Sequence, residues 1–258
     1  MKYKLSKLQF LVIIFTVLFY SCASKKDIIM FSDIKEGFES NVIHTFPKIQ
    51  VNDILDIKIT TLNPETSLPY NSVAANLSSQ SSLEFMKLQG YLVSAEGKIS
   101  LPIIGQIDAG GKTSSELEKF IKSVLENNGH LKNPTVSVRI LNAKVTILGE
   151  VKSPGTYNYS EQSITMPQAL GFAGDITIEA NRKEVWLIRE EDGKRNYHKI
   201  DLTKSDWFNS PYYNIKQNDI VYVYPNNVKV KSAGFIGNTT TVLSVFSILL
   251  TTFVLLTR

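Results

Sequence analysis

One thiol, three imidazoles and a few clustered carboxylates are the residues that could do chemistry, and their spacing closes most routes. Cys22 is the single cysteine in 258 residues. No internal disulfide can form, and one thiolate falls short of the about four ligands that structural zinc takes. His44, His130 and His198 lie far apart without ligand spacing, which predicts surface or turn histidines and neither metal nor other cofactor. Acid–base hydrolysis needs paired carboxylates held in a cleft. Glu190, Glu191 and Asp192 are adjacent, but they stand beside Gly193, where a hairpin tip carries solvated charge. Glu179 and Asp206 have no visible partner, and neither a Gly-x-Ser-x-Gly elbow nor a phosphate loop is present. The expectation is a protein that is not an enzyme. Trp207, Phe208, Tyr212 and Tyr213 could stack on sugar rings, although aromatic residues near strands more often build core or interface.

What Cys22 can do is set by the residues before it. Lys2, Lys4 and Lys7 open the chain, and Phe10 to Tyr20 is an apolar run interrupted only by Thr16. That run has the about 7–15 residues of a signal-peptide core and is too short to span a bilayer. Ser21-Cys22-Ala23-Ser24 then resembles the lipobox of bacterial lipoproteins, with Leu18 one place further back than the strict pattern and bulky Phe19 and Tyr20 before the junction. The resemblance implies a signal peptide over 1–21, cleavage before Cys22, and lipid attachment (palmitate among the acyl groups) at Cys22. An uncleaved anchor followed by a buried cysteine is the alternative.

The chain's +4 formal charge includes those three early lysines, and residues 1–21 contain no acid, so the remainder stands near +1. A nucleic-acid binder would keep a basic stripe in the mature chain. None is visible, and nucleic acid is excluded as a partner.

The other end is apolar again. No charged residue occurs from Ser232 to Thr257, and Gly234 to Leu256 is predominantly apolar. This length suits the ~20 residues of a spanning helix and predicts a transmembrane helix over 233–257. At about 100° per residue, Thr240, Ser244, Ser247 and Thr251 fall within roughly a 60° arc. Such a stripe could mediate close helix packing in a membrane. It could instead line a lumen in a ring of copies, or its hydroxyls could bond their own helix backbone in a plain anchor.

Two small mixed domains lie between, an α+β arrangement. Residues 22–46 lack periodicity and read as a tether. In the first domain, 47–141, Asn52-Asp53 supplies a turn into a strand carrying Ile54, Leu55, Ile57 and Ile59. Residues 63–82 read as a long loop, and Tyr91–Ser94 and Lys98–Leu101 flank Ala95-Glu96-Gly97 as a hairpin. Thr113 and Glu116 form a capping box. Leu117, Phe120, Ile121, Val124 and Leu125 then recur on one helical face, and Gly129 ends the helix. The second domain, 143–226, holds the strand Val145–Val151, the turn Ser153-Pro154-Gly155 and a second capping box, Thr165 with Gln168. Strands Glu184–Arg189 and Tyr197–Leu202 join through Asp192-Gly193, and Asn218-Asp219-Ile220-Val221 echoes Asn52-Asp53-Ile54-Leu55.

These elements together resemble the outer-membrane polysaccharide export family. The first domain is similar to the polysaccharide export domain through Asn52-Asp53-Ile54, Gly97-Lys98-Ile99-Ser100-Leu101-Pro102-Ile103-Ile104-Gly105, the helix Thr113–Asn128 and Asn133-Pro134-Thr135-Val136. The second is similar to the soluble-ligand-binding β-grasp (SLBB) module through Leu148-Gly149-Glu150-Val151-Lys152-Ser153-Pro154-Gly155-Thr156-Tyr157, Ala169-Leu170 and Ala173-Gly174. Asn stands where the family has Gly before Asp53 and Asp219, a tolerable exchange because Asn also accepts positive φ. Only one SLBB module is recognised, which implies a short periplasmic body. The resemblance implies an outer-membrane translocon in a Gram-negative-type bacterium, lipid-anchored with a periplasmic body. It would be a homo-oligomeric ring with a porin-like conduit of C-terminal helices, exporting capsular or exopolysaccharide. The implied partners are further copies of the chain, an inner-membrane polysaccharide copolymerase, the polysaccharide itself and membrane lipid. A tethered scaffold or glycan-binding lipoprotein without a pore is the alternative.

Overall fold

A computed structural model of the chain describes residues 25–37, 39, 45–71, 83–191, 193–233 and 239–256. The signal segment, Cys22 and residues 234–238 lie outside the described residues.

Helix α1 (Lys25–Ile28) comes first. The first domain then holds β1 (Ile54–Thr60), α2 (Pro64–Ser67), α3 (Leu83–Gln89), β2 (Tyr91–Leu92), β3 (Lys98–Leu101), β4 (Gly105–Asp108), α4 (Ser114–Asn127) and β5 (Thr135–Ile140). Strand β1 lies between β2 and β5 in an antiparallel three-stranded sheet. Helix α4 starts at the expected capping box: Glu116 N donates to Thr113 Oγ1 at 3.3 Å, and Thr113 N donates back to the Glu116 carboxylate at 2.8 Å. Its Leu117, Ile121 and Leu125 are fully buried against Leu55, Ile57 and Val138, which is what fixes the helix on the sheet. The hairpin differs from the sequence expectation. Strand β3 pairs with β4 across Pro102–Ile104, not with Tyr91–Leu92, which joins β1 instead. Ile103 takes φ +64 at that tip. The Ala95–Gly97 turn is present, and it links two sheets rather than two paired strands. Part of the expected loop at 63–82 is helical, since Pro64 presets the first turn of α2.

The second domain is built on β6 (Lys144–Gly149), β7 (Gly155–Asn158), β8 (Ile164–Thr165), α5 (Met166–Phe172), β9 (Ala180–Glu191), β10 (Lys194–Ile200), β11 (Asn214–Ile215) and β12 (Ile220–Pro225). Its five-stranded sheet has the order β10-β9-β12-β6-β7, with β12 and β6 parallel and the other neighbours antiparallel. The Thr165 and Gln168 capping box opens α5, whose Ala169 and Leu170 enter the core with Val145, Ile147, Val185, Leu187, Val221 and Val223. The two domains have separate cores, from Ile49 to Val138 and from Ala143 to Val223, and Ile140 packs against both. Mixed α/β content with several small sheets thus fits two domains.

Two terminal segments depart from expectation. Residues 27–33, inside the segment read as a tether, pack on the second domain. Phe31 N donates to Leu202 O at 3.0 Å and Ser32 N to Thr203 O at 2.8 Å, while Asp33 Oδ2 accepts from Ser205 N and Oγ. At the far end, α6 (Asn227–Ser232) precedes α7 (Thr239–Leu256). The expectation of a transmembrane helix over 233–257 is corrected here. Among the described residues no helix is long and apolar enough to cross a membrane. Helix α7 has 18 residues. At ~1.5 Å per residue its described residues extend about 27 Å.

Candidate functional site

The chemistry-bearing residues come together where the domains meet, through two turns of the same construction. In the first turn Asn52 takes φ +68, and Gln50 N donates to Asp53 Oδ2 at 2.6 Å. In the second Asn218 takes φ +64, and Lys216 N donates to Asp219 Oδ2 at 2.8 Å. Asn tolerates this backbone because its short polar side chain bonds locally. The sequence echo is therefore a repeated turn in which an aspartate caps the backbone three residues before it.

The two aspartates are neutralised differently. Asp219 is held by the Arg189 guanidinium, with Nη2 to Oδ2 at 2.7 Å and Nε to Oδ1 at 3.0 Å, and both side chains are buried. Arg189 Nη2 also donates to Asn214 O at 2.8 Å. Burial pushes the Asp219 carboxyl up from its ordinary value, and the hydrogen bond and charge of Arg189 oppose that shift. Asp53 is bonded instead to a neutral amide from the other domain: Gln217 Nε2 donates to its Oδ2 at 2.6 Å. With burial dominant and only hydrogen bonds from Gln50 and Gln217 opposing it, the Asp53 carboxyl is raised to about 6. Gln217 Nε2 also donates to Lys48 O at 3.3 Å, and Asn218 Nδ2 donates to Gln50 Oε1 at 3.0 Å. Asn142, between the domains, accepts from Ile54 N and donates to Asn52 O, both at 2.9 Å.

Clefts open on either side of this junction. One of about 370 Å³ is bordered by Asn52, Asp53, Asn142, Lys144, Glu190 and Asn218. A larger one of about 550 Å³ runs between the start of α4 and the segment Tyr159–Gln162. Gln217 borders both.

The residues singled out by sequence distribute as follows. Cys22 lies outside the described residues, as do His44 and Asp192. In α7, Ser244 Oγ donates to Thr240 O and Thr251 Oγ1 to Ser247 O, each at 2.8 Å. These two stripe hydroxyls are satisfied by their own helix backbone, one of the three arrangements open from sequence. Leu243, Val245, Phe246, Ile248 and Leu255 of the same helix are exposed. The aromatic cluster is core: Trp207 is buried, and Phe31 from the N-terminal segment packs at 5.9 Å from it and 5.0 Å from Phe208. Tyr212 stacks on His198 at 3.8 Å. Glu190 pairs with Arg195 and Glu191 with Lys216, and Glu179 pairs with Lys229. Among the described residues no group of His, Cys, Asp or Glu could hold a metal ion. Sequence reading missed Gln217 and Tyr159. Gln217 follows a lysine in an unremarkable turn, and only the repeat of the Asn-Asp signature marked its neighbourhood.

Comparison with known proteins gives two family matches along the chain. Residues 45–141 match the model of polysaccharide biosynthesis/export proteins, and residues 144–197 match that of the SLBB domain. The EPS I polysaccharide export outer membrane protein EpsA of Ralstonia nicotianae is 32% identical over 148 residues, 55% of this chain and 38% of that protein. The exopolysaccharide production protein ExoF of Rhizobium meliloti is 33% identical over 88 residues, 33% of this chain and 21% of that protein. The capsule polysaccharide export outer membrane protein CtrA of Neisseria meningitidis serogroup A is 24% identical over 202 residues, 74% of this chain and 48% of that protein. The chain spans less than half the length of these relatives.

Proposed function

We propose, because this chain belongs to the polysaccharide biosynthesis/export family, that it is an outer-membrane translocon subunit carrying capsular or exopolysaccharide from the periplasm to the cell surface. The observation that carries this reading is the tandem of an export domain and an SLBB domain joined through one buried polar junction, Asp53 with Gln217. Copies assemble into a homo-oligomeric ring that encloses the polymer, and an inner-membrane polysaccharide copolymerase delivers it. Cys22 carries the lipid anchor. The exposed apolar side chains of α7 meet lipid or neighbouring copies.

A second reading, a membrane-tethered scaffold without a pore, is favoured by one observation. Among the described residues no helix is long and apolar enough to cross a membrane. The oligomeric state of the full chain in mild detergent separates the two. A discrete high-mass oligomer is the expected result. A monomer selects the scaffold. Metabolic labelling with radioactive palmitate checks the anchor: Cys22→Ser is expected to lose the label, and retained label sinks the assignment.

A further inference from the structure

We propose that the larger interdomain cleft is a binding site for a short, uncharged segment of the exported glycan; the assignment rests on the export reading and adds to it a place and a chemistry. The cleft's volume, about 550 Å³, lies within the ~300–1,000 Å³ of small-ligand sites, and domain interfaces are a common location for them.

Two residues of its wall, Tyr159 and Gln217, carry buried polar atoms that a ligand would reach on a small side-chain shift. Tyr159 is 7% exposed and Gln217 3% exposed, and neither Tyr159 Oη nor Gln217 Oε1 has a hydrogen-bond partner among the described residues. Buried polar groups are normally paired, so two orphans in one cleft wall mark a demand for a partner. The orientation of the Gln217 amide is fixed by its other end. Nε2 faces Asp53 Oδ2 and Lys48 O, both acceptors, and a flipped amide would set Oε1 against two oxygens. Oε1 is therefore left without a donor, while the Tyr159 hydroxyl both donates and accepts. A sugar hydroxyl does both as well.

The remaining wall selects against charge. Arg139 and the N-terminal end of α4 favour an anion, whereas the carboxylates of Glu118 and Glu161 disfavour one. An uncharged polyol meets neither repulsion. Hydroxyls of Ser114 and Ser115 extend the polar wall, and Phe46, 57% exposed, offers an apolar face to the C–H side of a sugar ring.

The test uses the full chain purified in mild detergent and a panel of neutral hexasaccharides in gluco, galacto and manno configurations, read by saturation-transfer NMR and calorimetry. Binding of at least one member is expected. Tyr159→Phe is expected to weaken it about tenfold without lowering the unfolding midpoint, because the lost hydroxyl has no protein partner to leave unpaired. Ser115→Trp, which fills the cleft from the exposed first turn of α4, is expected to abolish binding, and Tyr197→Phe on the far sheet edge to leave it unchanged. No binding by any panel member, or equal binding by Tyr159→Phe and Ser115→Trp, overturns the site and leaves water alone at the two orphan atoms. The same variants in a deletion strain separate the two layers. Surface polymer lost on deletion but fully restored by Ser115→Trp sinks the cleft while the export reading stands. Surface polymer unaffected by deletion sinks the export reading beneath it.

Discussion

Asp53 and Asp219 occupy the same place in two similar turns, and the difference in their partners gives the junction a pH response. Asp219 faces a guanidinium, whereas Asp53 faces an amide, so burial of its charge is offset only by hydrogen bonds. Its folded value of about 6 lies above the ordinary 3.8. Stabilisation from a group raised in this way is complete below the lower value and is lost as pH rises through the higher one. The interval corresponds to about 3 kcal/mol at 1.36 kcal/mol per pH unit. Asp33, Glu116 and Glu191 act in the opposite sense, since hydrogen bonds hold their carboxyls below the ordinary range. A comparison of variants removes that common background. The melting midpoint of the parent is expected to fall relative to Asp53→Asn as pH is raised from about 4 to 7; parallel midpoints across that range would show that Asp53 is not the titrating group. The Asn-Asp turns were legible in sequence because turn chemistry is local. The partner was not, because Gln217 acquires its role only when two domains meet.

Among the elements, β6 and β12 depend on a single missing side chain. Gly149 takes φ +89 opposite Val223 in the parallel pair, and a Cβ there would stand 2.0 Å from the Val223 carbonyl oxygen. Gly149→Ala therefore adds both backbone strain and a clash with main chain that cannot rotate away, a cost of several kcal/mol. Trp186 and Trp207 are the chain's two tryptophans and both lie in the second domain, so urea unfolding followed by tryptophan fluorescence reports on it alone. A large drop in that midpoint is expected, and a shift within about 0.5 kcal/mol of the parent would refute the close approach. Capping boxes and the amphipathic α4 could be read from sequence since each depends on neighbours three or four residues away. Strand pairing could not: β2 leaves its turn partner to join β1, and the pleat alone does not say which edge is open. Likewise the apolar stretch after Ser232 shows composition but not the bounds of its helix, which is described over Thr239–Leu256.

At the level of the whole molecule, the N-terminal segment is part of the second domain's packing. Phe31 closes the cluster of Trp207, Phe208 and Tyr213, and the Lys183 ammonium pairs with Asp27 beside it. No periodicity marks residues 23–46, so this long-range docking leaves no local signature to read. The exposed ion pair contributes little. Phe31→Ala is expected to cost about 2 kcal/mol, below the ~3–5 of a fully buried phenylalanine because the ring is only partly covered. The segment should become cleavable in limited proteolysis while the β-sheets stay protected; unchanged cleavage would show that the main-chain bonds to Leu202 and Thr203 suffice.

That docked segment also sets a leash. With Cys22 acylated, the five residues from Cys22 to Asp27 reach no more than about 18 Å even when fully extended. The docking at 27–33 and the exit of α6 from β12 both belong to the second domain. On the proposed reading, a lipid at Cys22 would tether the molecule by its second domain and leave the first as the outlying end, reached first by a polymer approaching from the opposite membrane. The interdomain junction would then be the threshold between the two, the place where the free end meets the held one.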